Sequence, residues 1–415
     1  MQGPNDPVGP GDFACETAPS GVGQADADRP GREETSRAGA PGEVVRELSA
    51  QAEATTPIFA PERVGFAQSA VDDHIYAALD LGTNNCRLLV ARPSRRSFHV
   101  IDAFSRIIRL GEGLGHSGVL SEMAMARTIL ALEVCADKMR RRGVTRSRLI
   151  ATEACRIARN GEEFIDRVRQ QAGLDLEIVG RETEARLAVS GCASLIDRQA
   201  DGALVFDIGG GSSELIWLDF SGRASDPRSQ RPDRGDVQDC VKAWISLPMG
   251  VVTLSEKFGG RNVDSPVFEA MVAHVLEWLV PFEQQHNIAV QLRESSAHLL
   301  GTSGTVTTVA GVHLGLRAYD RTRVDGCWLR SDDIRAVSAR LLATTFEGRV
   351  AEPCIGRDRA DLVLAGCAIL EALMRTWPCE RLRVADRGLR EGILSLLMAE
   401  DRASRWRAQR AGAPA

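Results

Sequence analysis

The chain has 415 residues, 44% hydrophobic and 26% charged, which is typical of a globular protein with two or three domains. Its net charge of −5 offers no overall attraction to nucleic acid or to an anionic membrane, so we expect neither partner. We also expect no signal peptide and no membrane-spanning segment. The ten cysteines are scattered without C-x-x-C pairs, which favours reduced thiols and a cytoplasmic location.

Residues 1–73 are rich in Gly, Pro, Ala, Glu and Asp and poor in large apolar side chains. Such a segment buries too little apolar surface to offset its ordering entropy, so we predict a disordered tail. Order begins at His74 with a strand that runs into a small, polar turn containing Asp80, Gly82 and Asn84. A β-rich stretch follows this turn and predicts a hairpin.

The next elements alternate between helix and strand. Apolar spacing predicts a helix that Ser121 caps and that ends at Arg140–Arg142 before Gly143. Those arginines, with Arg106 and Arg109, are interpreted as a solvated face rather than as a track for a polyanion. A strand over 148–152 leads to Glu153, a helix over 161–172 follows, and Arg181 opens a helix that carries Glu182 and Glu184.

The stretch from Val205 to Trp217 reads as a strand, a turn of three consecutive glycines and a second strand. It repeats the order of residue types in the first hairpin, which predicts a duplicated architecture. Glycine turns expose backbone N–H groups that suit phosphate oxygens, while Asp207 and Glu214 suit a divalent cation. The candidate phosphate-binding residues of the two turns are Gly82, Thr83, Asn84, Asn85, Gly209, Gly210, Gly211, Ser212 and Ser213.

Three further elements follow in chain order. A polar stretch over 221–239 predicts a loop between two strands. A strand is then followed by the pattern Gly301-x-x-Gly304 and by a helix that contains Thr305. In this arrangement the N–H groups at the start of the helix point towards a bound anion. Near the end, an apolar helix over 362–374 and a strand over 382–384 lead to Asp386 and a final helix.

These motifs together resemble the exopolyphosphatase / guanosine pentaphosphate phosphohydrolase family. The resemblance covers residues 75–398 and is carried by Asp80–Asn84, Glu182–Arg186, Asp207–Glu214, Gly301–Thr305 and Asp386–Gly392. It implies an α/β fold of two ribonuclease-H-like domains around a cleft, as in actin, sugar kinases and heat-shock ATPases. The first domain would comprise residues 74–181 and 384–403, and the second residues 182–383.

The resemblance also implies the chemistry. Mg²⁺ would be held by Asp80, Asp207 and Glu214, and Glu184 would be the catalytic base. Ser212, Arg87 and Arg359 would contact phosphate. Glu153 is a rival base, and a structural role remains an alternative for Glu184, either at the helix dipole or as the partner of Arg181. We expect Asp386 and Arg390 to tie the last helix to the sheet.

The function implied is Mg²⁺-dependent release of terminal phosphate from inorganic polyphosphate, from guanosine pentaphosphate, or from both. The scarcity of aromatic residues favours polyphosphate. Two alternatives are an ATP-using kinase or ATPase of the same fold, and a non-catalytic sensor of polyphosphate or alarmone. The family commonly forms dimers, so a homodimer is possible.

Overall fold

A computed structural model describes residues 74–94, 97–221 and 237–411, all within the compact unit Gln68–Ala415. The predicted tail over 1–73 and residues 222–236 of the predicted polar loop lie outside these ranges. Within them, no helix is both long enough and apolar enough to cross a bilayer. Nine cysteines are described, all as free thiols and seven of them buried.

The first half of the molecule is a five-stranded sheet with helices on both faces. Its strands are β1 (Tyr76–Leu81), β2 (Asn85–Pro93), β3 (Phe98–Ile107), β4 (Arg146–Ala151) and β5 (Glu177–Ile178), in the order β3-β2-β1-β4-β5. Its helices are α1 (Leu114–Ser117), α2 (Glu122–Arg142), α3 (Glu153–Ile157) and α4 (Gly161–Ala172). Alternation along β1 sends Ala77 and Leu79 into one core and Tyr76 and Ala78 into another, so the strand is buried on both faces.

The second half is a six-stranded sheet. Its strands are β6 (Gly202–Ile208), β7 (Ser213–Asp219), β8 (Val241–Leu247), β9 (Ala297–Thr302), β10 (Trp328–Arg330) and β11 (Arg381–Ala385), in the order β10-β11-β9-β6-β7-β8. The remaining helices are α5 (Arg181–Cys192), α6 (Val251–Phe258), α7 (Ser265–His286), α8 (Ile288–Glu294), α9 (Gly304–His313), α10 (Arg321–Val324), α11 (Ser331–Ala343), α12 (Phe346–Ala351), α13 (Val363–Thr376) and α14 (Leu389–Ala411).

The two sheets share one topology. In each, three strands form an antiparallel meander, and the first of them pairs in parallel with a strand that comes later in the chain. A further parallel strand completes the order 3-2-1-4-5, to which the second sheet adds the antiparallel edge strand β10. This is the ribonuclease-H-like order present twice, so the predicted fold class is confirmed.

Helices α5 and α14 cross closely beside both sheets. A Cβ on Gly191 would lie 1.8 Å from the Gly388 carbonyl oxygen, and one on Gly392 would lie 2.0 Å from that of Leu187. Only glycine allows this approach. Leu187 packs with β1 and α14, whereas Val189 packs with the second sheet, so α5 joins the two halves. The domain boundaries remain predictions; they fall at the start of α5 and within β11.

The arginine-rich end of α2 is a capped helix terminus. The Ser121 hydroxyl accepts a hydrogen bond from the Ala124 N–H, and Gly143 closes the helix in a left-handed conformation. Arg140 and Arg141 pair with Asp137, and Arg142 pairs with Asp102 on β3. This pairing agrees with the interpretation of these arginines as a solvated face. The short helix α1 lies between β3 and α2.

Candidate active site

The two glycine hairpins form matching turns that face each other. The Gly82 N–H donates to the Asn85 carbonyl at 2.9 Å, and the Gly209 N–H donates to the Ser212 carbonyl at 3.0 Å. Both turns line one cleft of about 730 Å³ between the sheets. A Cβ on Gly210 would lie 3.0 Å from Thr83 Cβ, so glycine at this position permits the turns to meet.

Three of the predicted phosphate contacts have donor groups that are already hydrogen-bonded within the protein. The amides of Gly82 and Gly209 are occupied by the turn hydrogen bonds, so they cannot also donate to a ligand. Ser213 is buried, its hydroxyl donates to the Met249 carbonyl at 2.9 Å, and it does not line the cleft. All the candidates in the two turns except Ser213 line the cleft, namely Gly82, Thr83, Asn84, Asn85, Gly209, Gly210, Gly211 and Ser212.

The third glycine-rich element borders the same cleft through Ser303, Gly304 and Thr305. Ser303 has a φ of 88° and a ψ of 179°, a backbone conformation that only glycine adopts readily. Its hydroxyl oxygen is buried and has no hydrogen-bond partner in the described structure. The strain at Ser303 could not be read from the pattern of glycines, and it marks this turn as part of the site.

Four carboxylates converge in the cleft. Asp80, Asp207 and Glu184 are half-buried, and Glu214 is buried. Desolvation raises the pKa of Asp207 to about 6, and repulsion from Asp80 contributes to the increase. Desolvation also raises the pKa of Glu214 to about 7, and here repulsion from Asp207 contributes. Desolvation, followed by repulsion from Glu214, also raises the pKa of Glu184 well above its usual range. The Ser246 hydroxyl orients Glu214 with a hydrogen bond of 2.9 Å.

The carboxylates suit a Mg²⁺ ion that binds together with the phosphate substrate, which would supply the remaining ligands. Across the described ranges, no group of three or more His, Cys, Asp or Glu side chains stands close enough together to hold a metal ion. Mg²⁺ commonly takes one or two carboxylates and completes its shell with water and phosphate oxygens. The repulsion among Asp80, Asp207 and Glu214 and the unpartnered buried oxygen of Asn84 suit such a cation.

Three arginines in the cleft lack carboxylate partners. Among the described residues, the side chains of Arg87 and Arg390 form no hydrogen bond and no ion pair, and the side chain of Arg359 forms only a long bond of 3.4 Å to the Thr308 hydroxyl. Burial lowers the pKa of Arg359, and repulsion from Arg87 lowers it further. Burial likewise lowers the pKa of Arg390, and Arg87 contributes to this shift against the attraction of Glu391. Asp80 attracts both Arg87 and Arg390 without forming an ion pair with either, so the N–H donors of these guanidinium groups remain available to an anionic ligand.

This placement corrects the role expected of Arg390, which lies in the cleft and does not tie the last helix to the sheet. Glu391 accepts hydrogen bonds from the Gly388 N–H at the start of α14 and from Arg321 of α10. Asp386 accepts a hydrogen bond of 2.7 Å from the Tyr319 hydroxyl. Tyr319 and Arg321 also line the cleft, and they lie outside any motif that the sequence made visible.

Contacts across the mouth of the cleft join the two halves. Arg109 makes two hydrogen bonds with Asp361, at 2.9 and 3.1 Å, and one with the Asp358 carbonyl. The Gly113 N–H donates to Glu256 at 2.7 Å. Arg109 is therefore an interdomain contact. These bonds bring the loop that carries Arg359 towards the first half of the molecule.

Both candidate bases lie at the seam between the halves. Glu184 lines the cleft and its partner is Arg156, not Arg181 as the structural alternative had it. Glu153 is buried and accepts hydrogen bonds from both Arg156 and Arg181. A carboxylate bound by two guanidinium groups is poorly placed to accept a proton from water, so the geometry favours Glu184.

Comparison with known proteins identifies relatives along most of the chain. Residues 89–400 match the family model of the Ppx/GppA phosphatase family. The Aquifex aeolicus member of that family is 29% identical with a TM-score of 0.61, over 79% of this chain and 98% of its own. An exopolyphosphatase-like protein is 27% identical with a TM-score of 0.66, over 77% and 97%. A Cytophaga hutchinsonii exopolyphosphatase, 22% identical with a TM-score of 0.68 over 79% and 98%, shares the fold.

Proposed function

This chain belongs to the Ppx/GppA phosphatase family, and from that premise we propose that it releases the terminal phosphate of inorganic polyphosphate with the help of Mg²⁺. The observation that supports the proposal is the set of residues that line one cleft. Two facing glycine turns, four carboxylates and three unpaired arginines all border the same space. Phosphoanhydride hydrolysis needs charge neutralisation, an in-line water and an acceptor for its proton, and these groups are of the required kinds.

The reaction would proceed as follows. The amides of Gly210 and Gly211 and the side chain of Asn84 hold the terminal phosphoryl group between the turns. Glu184 takes a proton from the attacking water as the oxygen bonds to phosphorus. The bond to the bridging oxygen breaks, and the shortened chain leaves with the electron pair. The raised pKa of Glu184 makes it a stronger base than an ordinary carboxylate.

One or two of the carboxylates Asp80, Asp207 and Glu214 would hold Mg²⁺, and phosphate oxygens would complete its shell. The metal, when bound, neutralises charge that develops on the phosphoryl group. Burial is the main cause of the raised pKa values of all three carboxyl groups, and repulsion from Asp80 at Asp207 and from Asp207 at Glu214 adds to it. Ser212 and Ser246 orient Glu214 through hydrogen bonds from their hydroxyl groups.

The lining of the cleft supports polyphosphate as the substrate. It contains six arginines, namely Arg87, Arg321, Arg357, Arg359, Arg387 and Arg390. Of these, Arg321 pairs with Asp386 and Glu391 and Arg387 pairs with Asp325, so the other four are the candidates for contact with phosphate. Its aromatic side chains in the described structure are Phe104 and Tyr319, and the Tyr319 hydroxyl is already bonded to Asp386. Cationic side chains suit an unsubstituted phosphate chain, whereas a guanine base requires a stacking surface and matched hydrogen bonds.

A parallel assay tests the proposal. The purified protein is incubated with Mg²⁺ and long-chain polyphosphate, guanosine pentaphosphate or ATP, and phosphate release is followed in each. We expect the largest kcat/KM with polyphosphate and no release in the presence of EDTA. Faster release from guanosine pentaphosphate would reassign the substrate, and release from ATP alone would favour the ATPase. Binding of polyphosphate without release from any substrate would favour the sensor.

The affinity for Mg²⁺ should fall as the pH falls. Since the pKa values of Asp207 and Glu214 are raised to about 6 and about 7, these groups take up protons below neutrality and Mg²⁺ must displace them. Competition with one proton weakens binding about tenfold for each pH unit below the pKa. Calorimetric titration of Mg²⁺ into the protein with tripolyphosphate, between pH 8 and pH 5.5, measures the effect. An unchanged dissociation constant across this range would argue against these carboxylates as ligands.

A further inference from the structure

Four charged side chains form a network where α3 meets the first turn of α5. Glu153 accepts hydrogen bonds from the Arg156 Nε at 2.9 Å and from the Arg181 Nη2 at 2.6 Å. The Nη2 of Arg156 also donates to the Glu184 Oε2 at 3.1 Å. Arg156 is therefore shared between two carboxylates, one of which is the proposed base.

Glu153 is committed to this network. Its side chain is 4% exposed, and two arginines supply it with four hydrogen bonds. It also lies beneath the second glycine turn, because a Cβ on Gly211 would come within 3.2 Å of the Glu153 Cγ. A carboxylate buried this deeply requires such partners, since an unpaired charge there costs several kcal/mol.

Glu184 is held much more lightly. Among the described residues, Arg156 is the only hydrogen-bond partner of its carboxylate, and the bond reaches only Oε2. The network contains two carboxylates and two guanidinium groups, so its charges balance. If Glu153 lost its charge, Arg156 would no longer be shared between two carboxylates and would bind Glu184 alone. A guanidinium group binds a carboxylate best through two parallel bonds, which would occupy both oxygens of Glu184.

We propose that Glu153 is a positioning residue that acts through Arg156 to keep one oxygen of Glu184 free for the attacking water. The Nη1 of Arg156 donates to the Val179 carbonyl, which fixes the guanidinium plane from a third side. Arg181 neutralises the second charge of the network at the start of α5. The proposal rests on the proposed function of Glu184 as the base.

The test compares Glu153→Gln with a matched control in steady-state hydrolysis of polyphosphate. We expect kcat to fall about 10- to 100-fold while KM changes less than about twofold, because substrate contacts are intact. The control is Asp102→Asn, which also removes a carboxylate that holds two cations, Lys138 and Arg142, but lies outside the cleft lining. It should lower Tm and leave kcat within about twofold of wild type.

A double-mutant cycle separates this role from others. Because Glu153 acts through Glu184, adding Glu153→Gln to Glu184→Gln should lower the residual kcat less than about twofold. A Glu153→Gln protein with wild-type kcat and a lowered Tm, as in the control, would overturn the proposal. So would a multiplicative loss in the double variant. Wild-type turnover by Glu184→Gln would instead overturn the assignment of the base.

Arg156→Lys provides a second variant, which keeps the positive charge and removes the planar guanidinium group. A lysine lacks the planar set of donors with which Arg156 contacts Glu153, Glu184 and the Val179 carbonyl at once, so we expect the same loss in kcat at constant KM. This variant keeps the test decisive if Glu153→Gln folds poorly. An unchanged kcat for a folded Arg156→Lys protein would contradict the positioning role.

Discussion

Substitution of Glu184 by Gln should lower kcat for polyphosphate hydrolysis about 10³-fold, since a positioned general base typically contributes between about 10² and 10⁴. Glutamine has the same shape and can still accept a hydrogen bond from Arg156, but it cannot take a proton from water. The dissociation constant for tripolyphosphate in the presence of Mg²⁺ should stay within about threefold of wild type, because the arginines and the glycine turns are intact. Stopped-flow phosphate release and calorimetry measure the two quantities.

Glu182→Gln is the matched control for that experiment. Glu182 lies in the same helical turn, pairs with Arg186 and does not line the cleft. Its substitution should leave kcat within about twofold of wild type, as expected for an exposed ion pair of small energetic value. Wild-type turnover by Glu184→Gln would place the base elsewhere, with Glu153 as the first alternative.

The second large effect is expected at Arg390, which the fold places in the cleft without an ion-pair partner. Replacing it by Met keeps much of its apolar volume and removes a charged hydrogen bond to phosphate, worth about 1.5 to 3 kcal/mol. This corresponds to an increase in KM of about 10- to 100-fold. We expect a smaller change in kcat, because a contact to the chain behind the scissile bond serves ground state and transition state alike.

Two measurements check this prediction. Steady-state kinetics gives KM, and the rise in Tm on adding tripolyphosphate reports binding without turnover. Arg335→Met removes an exposed arginine of α11 that pairs with Asp332 and Glu371 outside the cleft, and it should change neither quantity. If Arg390→Met bound tripolyphosphate as tightly as wild type, Arg390 would be no phosphate contact.

The fold could be predicted well from the sequence because its signals are local. An acidic residue, a glycine-containing turn and a β-rich stretch occur twice in the same order. This repeat predicts both hairpins, which make the same hydrogen bond within their turns. Apolar spacing and end residues predict α2, which the structure bounds at Ser121 and Gly143. The family resemblance added the pairing of the two sheets, which no local pattern contains.

The site could be predicted in part. A glycine pattern shows where backbone approaches a ligand, but it does not show which N–H groups the turn itself consumes, as at Gly82 and Gly209. Ser212, the last residue of the turn, lines the cleft, whereas the hydroxyl of Ser213, the first residue of β7, is bonded to the Met249 carbonyl, and the pattern of glycines does not distinguish these two serines. Arg390 was misassigned because the partner of a side chain depends on tertiary contacts. The network of Glu153 and Arg156 joins segments whose proximity appears only in the folded chain.

The most direct test of the central claim is a crystal structure of the Glu184→Gln protein with Mg²⁺ and tripolyphosphate. We predict that the terminal phosphate lies between Asn84 and Gly210, with Mg²⁺ bound on the side of Asp207 and Glu214. The substituted side chain at position 184 should face a water in line with the bridging oxygen, and the remaining phosphates should contact Arg87, Arg359 and Arg390. A chain bound with its terminal phosphate away from both glycine turns would contradict the account.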